Sequence, residues 1–327
     1  MEKRNKKIVI LTKANDTYGY GHIVRSLRHF EILKKDFSCR LIVLGDKNLK
    51  KNLFFFNDEE KIFLCERNKN EIEKIIKKFS PKILVIDLLD IEKDGINFLQ
   101  KLDNVNKIWL SDLGKYHSDV DNILVTNPRE VWQDNAENMT NCMDFLYFNE
   151  KLQLLRKINF LKNNYVYINA GGITSNDSKK TLYKVISRLE KYKLKGFLNI
   201  GFSRATHKNI TKNFKCISHT DDHYKYIRKA RIAIIASGFT RYEMAYVGMP
   251  TLLFSLNEHQ KKLAIDFCNK KLGIYIGDLD NICSRNNLEK INSFFGDYSL
   301  QKLLIRNCKN KIDIKPTSFL EKIRSLM

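Results

Sequence analysis

The stretch of this chain best suited to chemistry is Tyr18-Gly19-Tyr20-Gly21-His22-Ile23-Val24-Arg25. It follows the apolar run Ile8-Val9-Ile10-Leu11 and opens a helical pattern that runs to about Lys35. A strand, a two-glycine turn and a helix bring backbone N–H groups and a positive helix end to one point, which attracts a phosphate. His22 stands at the lip of that turn, where it can move a proton at neutral pH. A tight turn closed by a capping histidine would use the same residues, and a short glycine motif alone does not separate the two readings.

A second element far downstream shifts the balance. In Ala236-Ser237-Gly238-Phe239-Thr240-Arg241-Tyr242-Glu243, an apolar strand ends in a small-residue turn and a helix starts near Thr240. That helix stops at Gly248, just before Pro250. Ser237, Gly238 and Thr240 suit a pyrophosphate. Glu243, in the first turn, suits a vicinal diol such as a ribose, although a carboxylate there also complements the helix dipole. Gly171-Gly172 follows another strand, and paired glycines allow close backbone approach to a phosphate. In Asn257-Glu258-His259-Gln260, polar side chains open a helix and can reach sugar hydroxyls, while Asn257 alone would satisfy a cap. Asp87, Asp90 and Asp112 lie at or beyond strand ends. They are placed to orient His22 or touch a sugar, and equally to cap loops. His117, His207, His219 and His223 show no metal-binding spacing, and His29, about two helical turns past His22, reads as packing or surface.

The elements that must hold these residues alternate regularly. Apolar runs occur at Lys7–Leu11, Arg40–Leu44, Lys61–Leu64, Lys82–Ile86, Lys107–Leu110 and Asn122–Val125, with helical patterns such as Glu71–Phe79 and Ile91–Leu102 between them. The rhythm restarts at Tyr165–Ala170 and continues through Ser178–Tyr192, Gly196–Ile200, Ile232–Ala236, Thr251–Phe254 and Ile274–Ile276. Leu288–Met327 reads as mainly helical. Alternation of this kind predicts parallel β-α-β units in two α/β halves. The expected domains are 1–155 and 160–327, the second carrying the terminal helices. Doubly wound sheets bind ligands at the carboxyl ends of their strands, so both glycine turns are expected to line a cleft between the halves.

The 327 residues hold 58 Lys and Arg against 37 Asp and Glu, a net charge of +21. This favours anionic partners: phosphate-bearing substrates, or an anionic membrane face touched peripherally. The lysines are scattered without aromatic interleaving, which argues against nucleic acid. Seven dispersed cysteines with no C-x-x-C pair argue against a disulfide framework or structural zinc and for a reducing compartment. The N-terminal apolar stretch is too short for a signal peptide, and no run spans a membrane. The expectation is a cytoplasmic protein that uses no metal or other cofactor.

These motifs together resemble the PseG/SpsG group, the UDP-sugar hydrolases and predicted glycosyltransferases of surface-polysaccharide and nonulosonic-acid biosynthesis. The chain is more distantly similar to MurG, the lipid-linked N-acetylglucosaminyltransferase. The resemblance runs from Ile8 to about Gly277. Gly19, Gly21, His22 and Arg25 match the group's G-x-G-H-x-x-R. Gly171-Gly172, Ser237-Gly238, Glu243 and Gly248-Met249-Pro250 match its second-domain motifs, and Phe145–Arg156 resembles its tyrosine–leucine–arginine segment. Ser111-Asp112 stands where the group tends to carry paired aspartates, Asn15-Asp16-Thr17 replaces its small residue after the first strand, and His259-Gln260 replaces its N-Q pair.

The resemblance implies a GT-B fold of two Rossmann-like doubly wound domains facing a cleft. It implies uracil recognition near His219-Thr220, phosphate contacts at Gly171, Gly172, Ser237 and Gly238, and ribose on Glu243. The acceptor side would come from the first domain, with Gly19, Tyr20, Gly21 and Arg25 near substrate and His22 as general base. The expected reaction is hydrolysis of a UDP-activated acetamido sugar with inversion. The alternative is an inverting glycosyltransferase that uses the same base on a glycan or lipid-linked acceptor. A non-catalytic nucleotide-sugar binding module is the rival from outside enzymology, and His22 beside two phosphate turns argues against it.

Overall fold

The computed structural model describes residues 6–15, 20–45, 49, 61–65, 69–112, 114–125, 136–141, 146, 148–171, 176–200, 210–217, 222–312, 314 and 318–327. The chain forms two compact units, Met1–Tyr147 with Ile314–Met327, and Phe148–Asp313.

Among the described residues of the first unit, seven strands form one sheet: β1 (Lys7–Lys13), β2 (Ser38–Leu44), β3 (Ile62–Cys65), β4 (Ile83–Asp87), β5 (Asn106–Ser111), β6 (Asn122–Val125) and β7 (Met139–Asn141). Their order is β3-β2-β1-β4-β5-β6-β7, and every pairing is parallel. Ile8–Leu11 and Ile83–Ile86 are fully buried. Continuous apolar runs are what a parallel sheet covered on both faces requires. The order reverses between β1 and β4, and the carboxyl ends at such a switch point open a crevice. Helix Gly21–Asp36 returns the chain from the end of β1.

Among the described residues the second unit has six parallel strands: β8 (Tyr165–Asn169), β9 (Lys195–Asn199), β10 (Phe214–Ile217), β11 (Ala230–Ala236), β12 (Thr251–Ser255) and β13 (Ile274–Asp278). Their order is β10-β9-β8-β11-β12-β13, with the switch point between β8 and β11. One core of this unit packs helix Asn176–Lys191 and the Arg285–Gly296 and Tyr298–Lys311 helices against Val166, Ile168, Ile232, Ile234 and Phe254.

Three expectations change. β7 and β10, three and four residues long, are too short to stand out in the sequence. Ile91–Leu102 is not one helix: Gly95 takes φ 67° and breaks it, leaving turns and a short 3₁₀ segment, Leu99–Lys101. Helix Ser318–Ser325 belongs to the first unit rather than the second domain. Phe319 stacks on His29 at 3.9 Å between ring centroids, and Arg324 pairs with Asp36. Among the described residues, no helix is long and apolar enough to cross a membrane.

Candidate functional site

The first polar cluster is built at the β1/β4 switch point. β1 and β4 run in register with Thr12 beside Asp87, the last residue of β4. Asp87 is fully buried and His22, the second residue of helix Gly21–Asp36, is 11% exposed. His22 Nδ1 lies 2.7 Å from Asp87 Oδ1. Arg25, one turn further, donates from Nε to Asp87 Oδ2 at 3.0 Å and from Nη1 to Asp112 Oδ1 at 2.7 Å. Ser26 Oγ donates to Asp87 Oδ2 at 2.8 Å. The spacing 22, 25, 26 puts all three side chains on one helix face, which explains why one carboxylate gathers them.

The electrostatics fix the roles. Burial pushes the Asp87 carboxyl up, but the Arg25 guanidinium and His22 outweigh it and hold the group at about 2. Burial would lower the Arg25 guanidinium, yet Asp112 and Asp87 raise it above its ordinary value. Asp87 is therefore an acceptor, and Nδ1 of His22 must carry the proton between them. The lone pair is then on Nε2, the ring atom suited to accept a proton from a substrate. Nε2 lies 3.7 Å from Asp112 Oδ2, so a second carboxylate stands ready to stabilise the imidazolium. Of the three carboxylates the sequence offers, Asp87 orients the histidine and Asp112 flanks it. Asp90 instead pairs with Lys115 at 2.6 Å.

Two first-unit residues expected at substrate have other work. Arg25 is 4% exposed and holds the two carboxylates together. Tyr20, also 4% exposed, lies in the core at the start of the helix. Gly21 begins the helix itself, and Gly19 lies outside the described residues.

In the second unit, Gly171, Ser237-Gly238 and His259-Gln260 follow the carboxyl ends of β8, β11 and β12. The Gly171 N–H donates to Asn169 Oδ1 at 2.7 Å, and its φ is 68°. A Cβ on Gly171 or Gly238 meets no atom within 4 Å, so both α-carbons border open space. Ser237 differs from expectation. Its side chain is buried and donates to Phe254 O at 2.7 Å, as does its N–H at 2.9 Å. Its hydroxyl is buried and pins the end of β11 to β12. Arg241, which the sequence reading passed over, is buried beneath the turn and donates from Nη1 to the Ser237 and Gly238 carbonyls, each at 2.9 Å. Tying those carbonyls back steadies the turn and brings a positive charge under it.

Thr240 is half-buried at the start of helix Thr240–Val247, and Glu243 is 7% exposed within it. Burial raises the Tyr167 phenol well above its usual range, and the Glu243 carboxylate adds to the rise. Asn257 caps helix Glu258–Asn269 through Gln260 N at 2.9 Å. Gln260 Oε1 accepts from Leu256 N at 3.2 Å, just before the cap. His259 is half-buried beside it. Gly172, His219 and Thr220 lie outside the described residues.

No family model matches the chain. SpsG of Bacillus subtilis, a spore coat polysaccharide biosynthesis protein, is 24% identical over 325 residues, 91% of either chain. This chain is similar to SpsG along most of its length. It is also 24% identical over 302 residues to an uncharacterised protein of Methanocaldococcus jannaschii, spanning 58% of that protein and 81% of itself. Among solved structures, the spinosyn rhamnosyltransferase SpnG complexed with thymidine diphosphate superposes at a TM-score of 0.71. It shares 12% identity and covers 97% of this chain and 100% of its own. MurG of Acinetobacter baumannii superposes at 0.60, with 12% identity over 98% of this chain and 99% of its own. The fold is GT-B, two parallel-sheet α/β domains of the kind these glycosyltransferases share.

Proposed function

We propose that this protein is an inverting glycosyltransferase that moves a sugar from a nucleoside diphosphate donor to an acceptor hydroxyl in surface-polysaccharide biosynthesis. The observation that carries the reading is the 2.7 Å contact between His22 Nδ1 and the buried Asp87, which leaves the Nε2 lone pair available for the part of base. The acceptor oxygen attacks the anomeric carbon as its proton passes to Nε2. The bond from that carbon to the diphosphate breaks, and its electron pair leaves with the nucleoside diphosphate. Asp87 and Asp112 stabilise the imidazolium, a role of the kind a buried carboxylate plays beside a catalytic histidine. Gly171 and Gly238, whose α-carbons border open space, let the diphosphate approach the backbone, the start of helix Thr240–Val247 offers it N–H groups, and Glu243 takes the ribose.

Hydrolysis of a UDP-linked acetamido sugar would use the same base on water. Transfer is placed first because the structural neighbours named above are transferases and the relative from Bacillus subtilis serves polysaccharide synthesis. The donor is a UDP- or dTDP-sugar, the acceptor a glycan or a lipid-linked glycan.

The test is nucleoside diphosphate release from UDP- and dTDP-linked sugars, with and without glycan acceptors. Release that requires acceptor supports transfer. Release without acceptor, with free sugar, replaces it by hydrolysis. His22→Ala is expected to keep nucleotide binding and lose about 10²–10⁴-fold in turnover. Unchanged turnover would remove His22 from the mechanism.

A further inference from the structure

The second unit holds a cavity of about 300 Å³ that the proposed reaction does not use. It lies beside Gly248, at the carboxyl end of helix Thr240–Val247. The Ser237-Gly238 turn is at the opposite end of that helix, and eight residues of helix span about 12 Å. The cavity therefore sits away from the strand ends that carry the candidate nucleotide residues.

Its walls are largely carbon and its charge is of one sign: Lys157, Lys302, Arg306 and Lys309 supply four cations, the first three exposed and Lys309 half-buried, and among the described residues no acidic residue lines it. Three of them sit at positions 302, 306 and 309 of helix Tyr298–Lys311, the i, i+4, i+7 spacing of a single face. That helix contains no Asp or Glu. Other surface helices of this unit place an acid beside the base, as in Lys180–Asp177, Lys261–Glu258 and Arg285–Glu289. None of the four cavity cations pairs with a carboxylate among the described residues. Like charges at this spacing destabilise a helix and repel across a shared pocket. Burial, and then the neighbouring Arg156, lower the Lys309 ammonium. Phe160 and Ile305 supply an apolar wall.

We infer that this cavity is a second, anion-binding site that takes a phosphate-bearing ligand, its charge held by Lys157, Lys302, Arg306 and Lys309 and its less polar part resting on Phe160 and Ile305. Several cations around one concave space favour a multiply charged anion such as a diphosphate over a single carboxylate. The volume lies at the small end of ligand pockets and excludes a nucleic-acid duplex. The same headgroup chemistry is offered by a soluble phosphoester and by an anionic lipid.

Pyrophosphate titrated calorimetrically into the full chain, saturated with UDP, tests this. Binding is expected to persist under UDP and to weaken about tenfold or more in Lys302→Glu/Arg306→Glu. The charge-matched control Lys184→Glu/Lys191→Glu, on the exposed side of a different helix, is expected to bind like the parent chain. Co-sedimentation with phosphatidylglycerol vesicles then names the source. Pelleting that is lost in the cavity variant and competed by pyrophosphate identifies a lipid headgroup, and pyrophosphate binding without pelleting identifies a soluble phosphoester. Equal pyrophosphate affinity in parent, variant and control would overturn the site, as would no binding in either assay. Failure of UDP itself to bind would count against the proposed transferase and not against the cavity, because the parent-to-variant difference is still read.

Discussion

At the scale of the residue, Asp87 decides what His22 can do. Replacing it with Asn keeps the shape but offers Nδ1 an amide in place of a charged acceptor, so the lone pair is no longer fixed on Nε2. Asp87→Asn is expected to lower kcat about a hundredfold or more with little change in KM. A matching rise in KM would point to a substrate contact instead. The same carboxylate is a stability element. Its folded-state value of about 2 lies below the ordinary 3.8. Its contribution is therefore complete above the ordinary value and is lost as pH falls toward the folded one. At about 1.4 kcal/mol per unit that window is worth about 2 kcal/mol. Urea unfolding at a series of acid pH values should show a flatter decline for Asp87→Asn than for the parent chain. The variant should also be weaker at neutral pH, by about 3 kcal/mol, because buried Arg25 loses one of the two carboxylates it bridges and keeps Asp112.

At the scale of the element, the β11 turn divides labour between neighbours that look alike in sequence. Ser237 locks β11 to β12 through Phe254 O, while Gly238 borders open space. Ser237→Ala should lower stability by about 1 kcal/mol and leave nucleotide affinity unchanged. Gly238→Ala should fold with an unaltered melting temperature yet weaken UDP binding about tenfold, because the added methyl occupies the backbone's approach to phosphate. The reverse pattern would exchange their roles. Arg156 performs another element-scale task. Its Nη1 donates to Tyr246 O at 2.6 Å and Ile312 O at 2.9 Å, and its Nη2 to Lys309 O at 3.1 Å. It thereby caps the carboxyl ends of two helices, where a cation also complements the helix dipole. Arg156→Met should cost about 2–4 kcal/mol in chemical denaturation, since several half-buried carbonyls lose their donor together.

At the scale of the whole molecule, the chain's last helix returns to the first unit, where Phe319 and Ile323 are almost wholly buried. Phe319→Ala should destabilise that unit by about 3–5 kcal/mol. Hydrogen exchange should quicken in Gly21–Asp36 and β1 while β8 through β13 keep their protection. Equal acceleration in both units would contradict the assignment. The sequence by itself determined the parallel α/β architecture, because Ile8–Leu11, Ile83–Ile86 and Ile232–Ala236 are apolar on both faces and only a covered parallel sheet buries such runs. It also determined that His22 and the glycine turns stand at strand ends, since turn residues and helix starts are local signals. Only the tertiary structure selected Asp87 from three candidate carboxylates, withdrew Arg25, Tyr20 and the Ser237 hydroxyl from the surface, and sent Ser318–Ser325 back to the first unit. Each of those outcomes depends on which strand lies beside which. Arg25 and Asp87, 62 positions apart, meet because β4 inserts next to β1, and Lys157 shares a cavity with Lys302 because helix Tyr298–Lys311 packs near it; no local pattern encodes either adjacency.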